Sequence, residues 1–387
     1  MKYVRIFWSL SILLLLCLVT ACGKEETYGL GKHRTVVFKI DPPKITQSLG
    51  RNDYRLDSVC TLSFPDSMKY ETTKILAKGN RIYVLDSRVG HTVYVFDSSG
   101  KYLFKLSERG RASYEYVGEP KDFFVDNMGN VHVFDYDGQK VLSFTKKGKI
   151  FRVVSTGRLF PHSFGLTDNN RYAFCRNDKD EKEMKPALML CDWNFENPEM
   201  LLPAGNVYRF RPSDRTFFSN EKRLSHIPIL SDSVLVFKND SIEKVVRFDF
   251  GMEVASRERL DLVTRLATSQ EWNRYKGVWC LEEYQETDGL IYLEYIYDGK
   301  GREWLYNKQT GRIVHCAQLF KGVSAFSNYY LRGNQIIALV DKETVDELFK
   351  LSVNKSFQDN LRQSVPQLDV LIKGEIKAPA LFYISVK

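Results

Sequence analysis

The chain of 387 residues lacks the residue groupings that most simple chemistries need. Its seven Cys are irregularly spaced and none forms CxxC, which argues against a zinc site and against a disulfide framework. The six His (His33, His91, His132, His162, His226 and His315) make no HExxH or other paired ligand spacing. There is no Walker A loop and no Gly-x-Ser-x-Gly, so a nucleophile elbow is unsupported. Arg109–Gly118 contains two separated glycines but no GxGxxG. No strong charge of one sign appears: 56 Lys and Arg face 48 Asp and Glu, interspersed. Nucleic acid is therefore not an expected partner. Only one long apolar run exists, from Ile6 to Val19, and its 14 residues are too few to span a bilayer, which takes about 20.

That run reads as a removable address. Lys2 and Arg5 precede it, and it ends in Val19-Thr20-Ala21-Cys22, which resembles a bacterial lipobox. The resemblance implies a signal peptide over residues 1–21 and a lipid on Cys22, the membrane contact of the mature chain. Gly23-Lys24-Glu25-Glu26 follows at once. Lys24, Glu25 and Glu26 resemble the signal that exports lipoproteins of Bacteroidetes to the cell surface, with a periplasm-facing anchor as the alternative. Residues 22–50 read as a tether and 51–387 as the folded body. Removing residues 1–21 takes away Lys2 and Arg5, and the balance becomes 54 − 48 = +6. Five thiols then remain, Cys60, Cys175, Cys191, Cys280 and Cys316. Cys175 and Cys191 could sit on neighbouring strands and pair, but buried free thiols are the expectation.

What the chain has in excess is aromatic: 25 Phe, 21 Tyr and 5 Trp. Aromatic and β-branched residues favour half-buried pleated surfaces. The body also repeats. Asn80-Arg81-Ile82-Tyr83-Val84-Leu85-Asp86 aligns with Asn130-Val131-His132-Val133-Phe134-Asp135, and Val93–Lys101 aligns with Val141–Lys149. Each unit reads as four short strands, with Gly129 and Gly148 in the turns that need positive φ. Four antiparallel strands at this period are the mark of a β-propeller blade. Later units are weaker but traceable, giving an all-β, six-bladed propeller of four-stranded antiparallel blades. Short helical insertions are expected from Glu258 to Tyr275 and from Lys342 to Gln363. The last blade is one strand short, while Arg55–Phe64 is a strand without a blade, so the N-terminal strand should close the ring and remove its exposed edges.

The segment Arg109-Gly110-Arg111-Ala112-Ser113-Tyr114-Glu115-Tyr116, followed by Pro120-Lys121-Asp122-Phe123-Phe124-Val125-Asp126, resembles the loop and strand of the six-bladed β-propeller lipoproteins of Bacteroidetes, relatives of NHL-repeat propellers. Ala378-Pro379-Ala380-Leu381-Phe382 resembles that family's closing strand. The family's loop usually has Gly-Pro where this chain has Ala112-Ser113. The resemblance implies fold and envelope location, and carries over no catalytic residue, cofactor or metal.

Function must then come from surfaces. The recurring carboxylates Asp86, Asp97, Asp126 and Asp135 read as turn caps rather than metal ligands, because a turn needs one per blade. His132 reads as a packed strand residue. Blade topology would gather Asp86, Arg88, Arg109, Arg111, Tyr114, Tyr116, Asp135, Tyr136, Asp137 and His162 on one face, and Arg and Tyr are enriched in binding surfaces. The expected function is a non-catalytic, monomeric binding protein for a glycan, peptide or envelope protein. The alternative is a lyase or lactonase-type hydrolase with a metal in the central channel, by fold analogy alone.

Overall fold

The computed structural model describes residues 33–387 except 51, 66–70, 160, 177–185, 204–214, 221–222, 229–230, 253, 255–275, 321–326 and 341–378. The signal segment, Cys22, Lys24, Glu25, Glu26 and both expected helical insertions lie outside the described residues.

Among the described residues, twenty-five strands form six sheets. Two precede the first blade: β1 (Arg34–Lys39) and β2 (Tyr54–Thr61). Blade one is β3 (Lys74–Lys78), β4 (Arg81–Asp86), β5 (Thr92–Asp97) and β6 (Tyr102–Leu106). Blade two is β7 (Pro120–Val125), β8 (Val131–Asp135), β9 (Lys140–Phe144) and β10 (Ile150–Ser155). Blade three is β11 (Pro161–Leu166), β12 (Tyr172–Arg176), β13 (Pro186–Cys191) and β14 (Glu199–Pro203). Blade four is β15 (Phe217–Asn220), β16 (Arg223–His226), β17 (Ser233–Lys238) and β18 (Ser241–Asp249). Blade five is β19 (Val278–Glu286), β20 (Leu290–Tyr297), β21 (Lys300–Asn307) and β22 (Ile313–Cys316). Blade six is β23 (Ser327–Arg332), β24 (Gln335–Val340) and β25 (Ala380–Val386), completed on its outer side by β2. The ring closes as the orphan N-terminal strand requires: Tyr54 pairs with Val386 and Thr61 with Ala380, antiparallel.

The hairpin turns work as their sequence implies. Gly129 and Gly148 have φ of 84° and 77°. At Gly148 a Cβ would meet the Phe104 ring at 2.7 Å, so the site excludes any other residue twice over.

The aromatic surplus lies between blades. Tyr83 meets Phe123, Phe124 and Phe134 meet Phe164, Phe248 meets Tyr284 and Trp304, and Tyr292 meets Tyr329, at centroid distances of 5.2–6.2 Å. Each apolar cluster crosses at least one blade boundary, so no blade has a private core. Removing one such ring should cost about 3–5 kcal/mol, the usual cost of a large-to-small core change.

The segment read as a tether is a correction. β1 lies parallel to β18 as a fifth strand of blade four, from Arg34 opposite Lys244 to Lys39 opposite Asp249. Phe38 packs against Phe248, Trp304 and Tyr306. The chain then crosses blade five, where the Thr46 hydroxyl accepts the His315 amide at 2.9 Å and Leu49 is buried, before entering β2. Residues 34–50 thus belong to the folded body. The cause is ordinary: Phe38, Ile40 and Leu49 are apolar and find a groove.

Blade five carries an arrangement that linear sequence hides. Glu283, Glu294 and Glu303 face one another directly across β19, β20 and β21. A register shift between Leu281 and Glu283 brings Glu282 beside them. Burial, then the neighbouring carboxylates, push Glu294 up to about 8. Burial pushes Glu303 up to about 7, although it accepts the Tyr292 hydroxyl and the Leu319 amide. Burial raises Glu282 and Glu283 as well. These carboxyls hold their protons more tightly folded than unfolded. Their contribution to stability is complete below the ordinary value of 4.5 and is lost as pH rises through about 7 and about 8. The melting temperature should fall by several degrees between pH 5 and pH 9, and Glu294→Gln should flatten the fall. Calorimetry across that range checks it; a flat wild-type profile would count against the buried row.

Candidate functional site

The recurring carboxylates are turn caps. Asp97 accepts the Ser99 and Lys101 amides at 2.9 and 3.1 Å, and the Ser99 hydroxyl holds its carboxyl below the usual range. Asp126 accepts the Met128 and Asn130 amides at 2.9 and 2.7 Å. Asp192, not singled out in the sequence, does the same for Asn194 and Glu196 at 2.9 Å each. Asp86 is fully buried and accepts the amides of Glu71, Val89 and Gly90. Asp135 accepts those of Val117 and Gly138. With their oxygens committed to backbone donors, these groups hold loops in shape. His132 is likewise a packed residue, buried, with Nδ1 at 2.9 Å from the Ser143 hydroxyl and 3.0 Å from that of Tyr172.

The other candidates divide. Tyr116 is buried and donates to the Leu106 carbonyl at 2.6 Å, so it anchors the loop from Ser107 to Glu119. Arg88 is exposed and paired with Glu71 at 2.6 Å. Arg109, Arg111, Tyr114 and Asp137 project to solvent along the same rim, Asp137 over Gly118. His162 stands apart at the start of β11, where the inner strand meets the channel mouth. Its ring packs edge-on to Tyr136 at 5.9 Å, and neither buried ring nitrogen has a hydrogen-bond partner among the described residues. The strand order thus puts these residues in loops and at strand ends on one face of the ring.

The channel itself is bridged by polar side chains. Lys74 reaches from blade one to Asp122 of blade two at 2.6 Å and to the Phe123 carbonyl at 2.8 Å. Ser163 and Thr216 join blades three and four at 2.5 Å. Gln285 of blade five accepts the Asn220 amide of blade four and the Leu331 amide of blade six, and donates to the Tyr329 carbonyl. The bonds of Lys74 to the Phe123 carbonyl and of Gln285 to Tyr329 and Leu331 satisfy inner-strand backbone groups that no further strand covers. Among the described residues no three His, Cys, Asp or Glu side chains are grouped to hold a metal ion.

One pair has the look of a nucleophile with its base. The Cys175 thiol donates to His226 Nε2 at 3.4 Å, and His226 Nδ1 donates to the Thr216 carbonyl at 3.1 Å. Burial pushes the thiol up to about 12 and the imidazole down to about 3. Both stay neutral near pH 7, and a thiol without thiolate character is a poor nucleophile. All five described thiols are free; Cys175 sits opposite Leu188 and Cys191 opposite Tyr172, so they do not pair.

The concave site lies at the opposite mouth. The turns after the inner strands of blades one to four form a shallow polar hollow of roughly 20 Å³, lined by Lys78, Asp126, Asn127, Asp168, Asn170 and Arg223, with Phe124, Val125, Leu166, Thr167 and Ser219. Lys78 Nζ donates to the Val125 carbonyl at 2.7 Å, and Asn127 donates to the Asp168 carbonyl at 3.4 Å. Arg223 is held by Asp288 at 2.7 Å. Beside the mouth, Glu286 is buried; burial would raise its carboxyl, but Lys244 and Lys308 at 2.7 and 2.6 Å outweigh it and hold it below the usual range. Asn170 is different: it adopts φ of 61°, and its buried side-chain oxygen has no hydrogen-bond partner among the described residues. The sequence signal for this mouth was present, since these residues end or follow the first strand of each repeat, but that same position also reads as an ordinary turn.

Residues 67–371 match the family described as a domain of unknown function, DUF4934. No curated protein matches the chain. Among solved structures, a Bacteroides fragilis protein classed as exported is similar at 16% identity with a TM-score of 0.71, over 91% of this chain and 99% of that one. A member of the duf4221 family from Bacteroides vulgatus has 9% identity and a TM-score of 0.45, over 87% and 99%. Virginiamycin B lyase from Staphylococcus aureus has 10% identity and a TM-score of 0.37, over 75% and 86%. The first likeness bears on fold alone; the other two are too slight to bear even on that. With most of its length matched to one family and six four-stranded blades closed in a ring, the chain belongs to the DUF4934 family and is a six-bladed β-propeller.

Proposed function

We propose that this protein is a non-catalytic binding protein of the cell envelope, anchored through a lipid on Cys22, which takes a small polar ligand at the channel mouth of blades one to four. The observation that carries the reading is the lining of that mouth, where Lys78, Asp126, Asn127, Asp168, Asn170 and Arg223 converge on one shallow polar hollow. The lining offers amides and charges of both signs, as a sugar or a peptide end requires. The mature chain, screened against glycan and peptide arrays, should yield ligands whose affinity falls about 10-fold or more in Asn170→Ala and in Arg223→Ala by calorimetric titration. Ligands that bind both variants unchanged would move the site elsewhere.

Envelope location is supported by the lipobox at Cys22, by Lys24, Glu25 and Glu26 after it, and by the exported class of the Bacteroides fragilis neighbour. Outer-membrane anchoring at the cell surface is the reading that fits this signal. Cys22→Ala should release the chain from membranes or block its processing; an unchanged membrane fraction would refute the lipid anchor.

A further inference from the structure

The charge of this chain is balanced overall but not locally. From Gly138 to Thr167 there are six Lys or Arg and no Asp or Glu. This stretch contains the outer half of blade two. The turn between β9 and β10 presents Lys146, Lys147 and Lys149, all exposed. The edge strand that follows begins with Ile150 and Phe151, exposed by 36% and 47%, where an outward strand face is normally polar. The turn between β7 and β8 lies against it: a Cβ at Gly129 would be 3.6 Å from that of Lys146. Its tip is Met128, 65% exposed. Apolar side chains at the tip and along the strand thus flank a cluster of cations.

Two features say what such a corner meets. The first is charge: a cationic rim with protruding apolar tips is complementary to an anionic lipid surface, where lysines take phosphates and Met and Phe enter the acyl boundary. The second is where the chain leaves the structure. β1 runs parallel to β18, which follows the turn at Asn239 and Asp240, so Arg34 starts on the same face as the blade-two turns. Thr167, in the turn after β11, donates to Asp240 at 2.7 Å and confirms the shared face. Ten residues, 23–32, separate Cys22 from the first described residue, His33, a reach of at most about 40 Å. The exit and the corner therefore point to one side of the ring.

We propose that the blade-two corner formed by Met128, Lys146, Lys147, Lys149, Ile150 and Phe151 docks on an anionic lipid surface, so that the propeller leans on blade two. The contact shares a face with the polar mouth: Met128 adjoins Asn127 of its lining, while Lys147, Lys149, Ile150 and Phe151 lie at the outer strand. The exit argument rests on the proposed lipid at Cys22, the charge argument does not, and the test omits both the lipid and the ligand. The mature chain from residue 22 with Cys22→Ser is floated with vesicles of phosphatidylcholine alone or with three parts in ten phosphatidylglycerol. Binding should require the anionic lipid and weaken with salt. Lys146→Glu, Lys147→Glu and Lys149→Glu together should lower it about 100-fold, as expected for three surface lysines. Phe151→Asp should also lower it, while Lys276→Glu on the far face should not. Absence of flotation with anionic vesicles, or flotation unchanged in the triple variant, would overturn the proposal. So would a dimer in solution that Phe151→Asp dissolves, because the edge would then serve a second copy.

Discussion

Everything in this protein depends on the pairing of the strand near its beginning with the strand at its end. β2 and β25 make seven residue pairs that span almost the whole chain. A blade has an inner and an outer edge, and an edge left without partners is both unstable and sticky. Joining the termini in one blade turns a row of six sheets into a closed object. The loop entropy of bringing such distant segments together is recovered only when all the blades are in place, which makes the ring cooperative.

Closure sets two secondary problems that the side chains solve. The faces of neighbouring blades must be filled, and wide flat rings do this with few residues, which is why the aromatic count is high. The innermost strands also keep unpaired backbone groups along the channel. Lys74, Lys78 and Gln285 reach across to them, so the polar residues of the channel serve the backbone first. What remains for a ligand is at the mouths, where turns replace strands. The two mouths are unlike: one has His162 packed on Tyr136, its nitrogens without a hydrogen-bond partner among the described residues, and the other has a shallow polar hollow with Asn170 in its wall.

The fold was legible because it is written in local terms. Alternation, turn glycines and the period of the repeat each show in a few consecutive residues, and the orphan strand announced ring closure by simple counting. The carboxylates at strand ends were legible for the same reason, since each caps amides two to four residues away. What stayed hidden depends on register or on depth. Glu283, Glu294 and Glu303 are separated in sequence by eleven and nine residues, and only strand pairing places them in one row. Arg34–Lys39 looked like tether because a strand added to an outer edge needs little hydrophobicity of its own. Tyr116 looked like a binding residue because sequence shows that it lies in a loop but not that its ring points inward. The basic stretch of blade two escaped because global charge balance averages it away.

The central claim is that the two ends of the chain hold the ring together, and native-state hydrogen exchange tests it most directly. If β2 is the fourth strand of blade six, the amides of Tyr54–Thr61 bonded to β25 exchange as slowly as those of Gln335–Val340, and all open together in one global step. If the amides of Tyr54–Thr61 exchange freely while the rest of blade six stays protected, the N-terminal strand does not close the ring, and the account fails at its base.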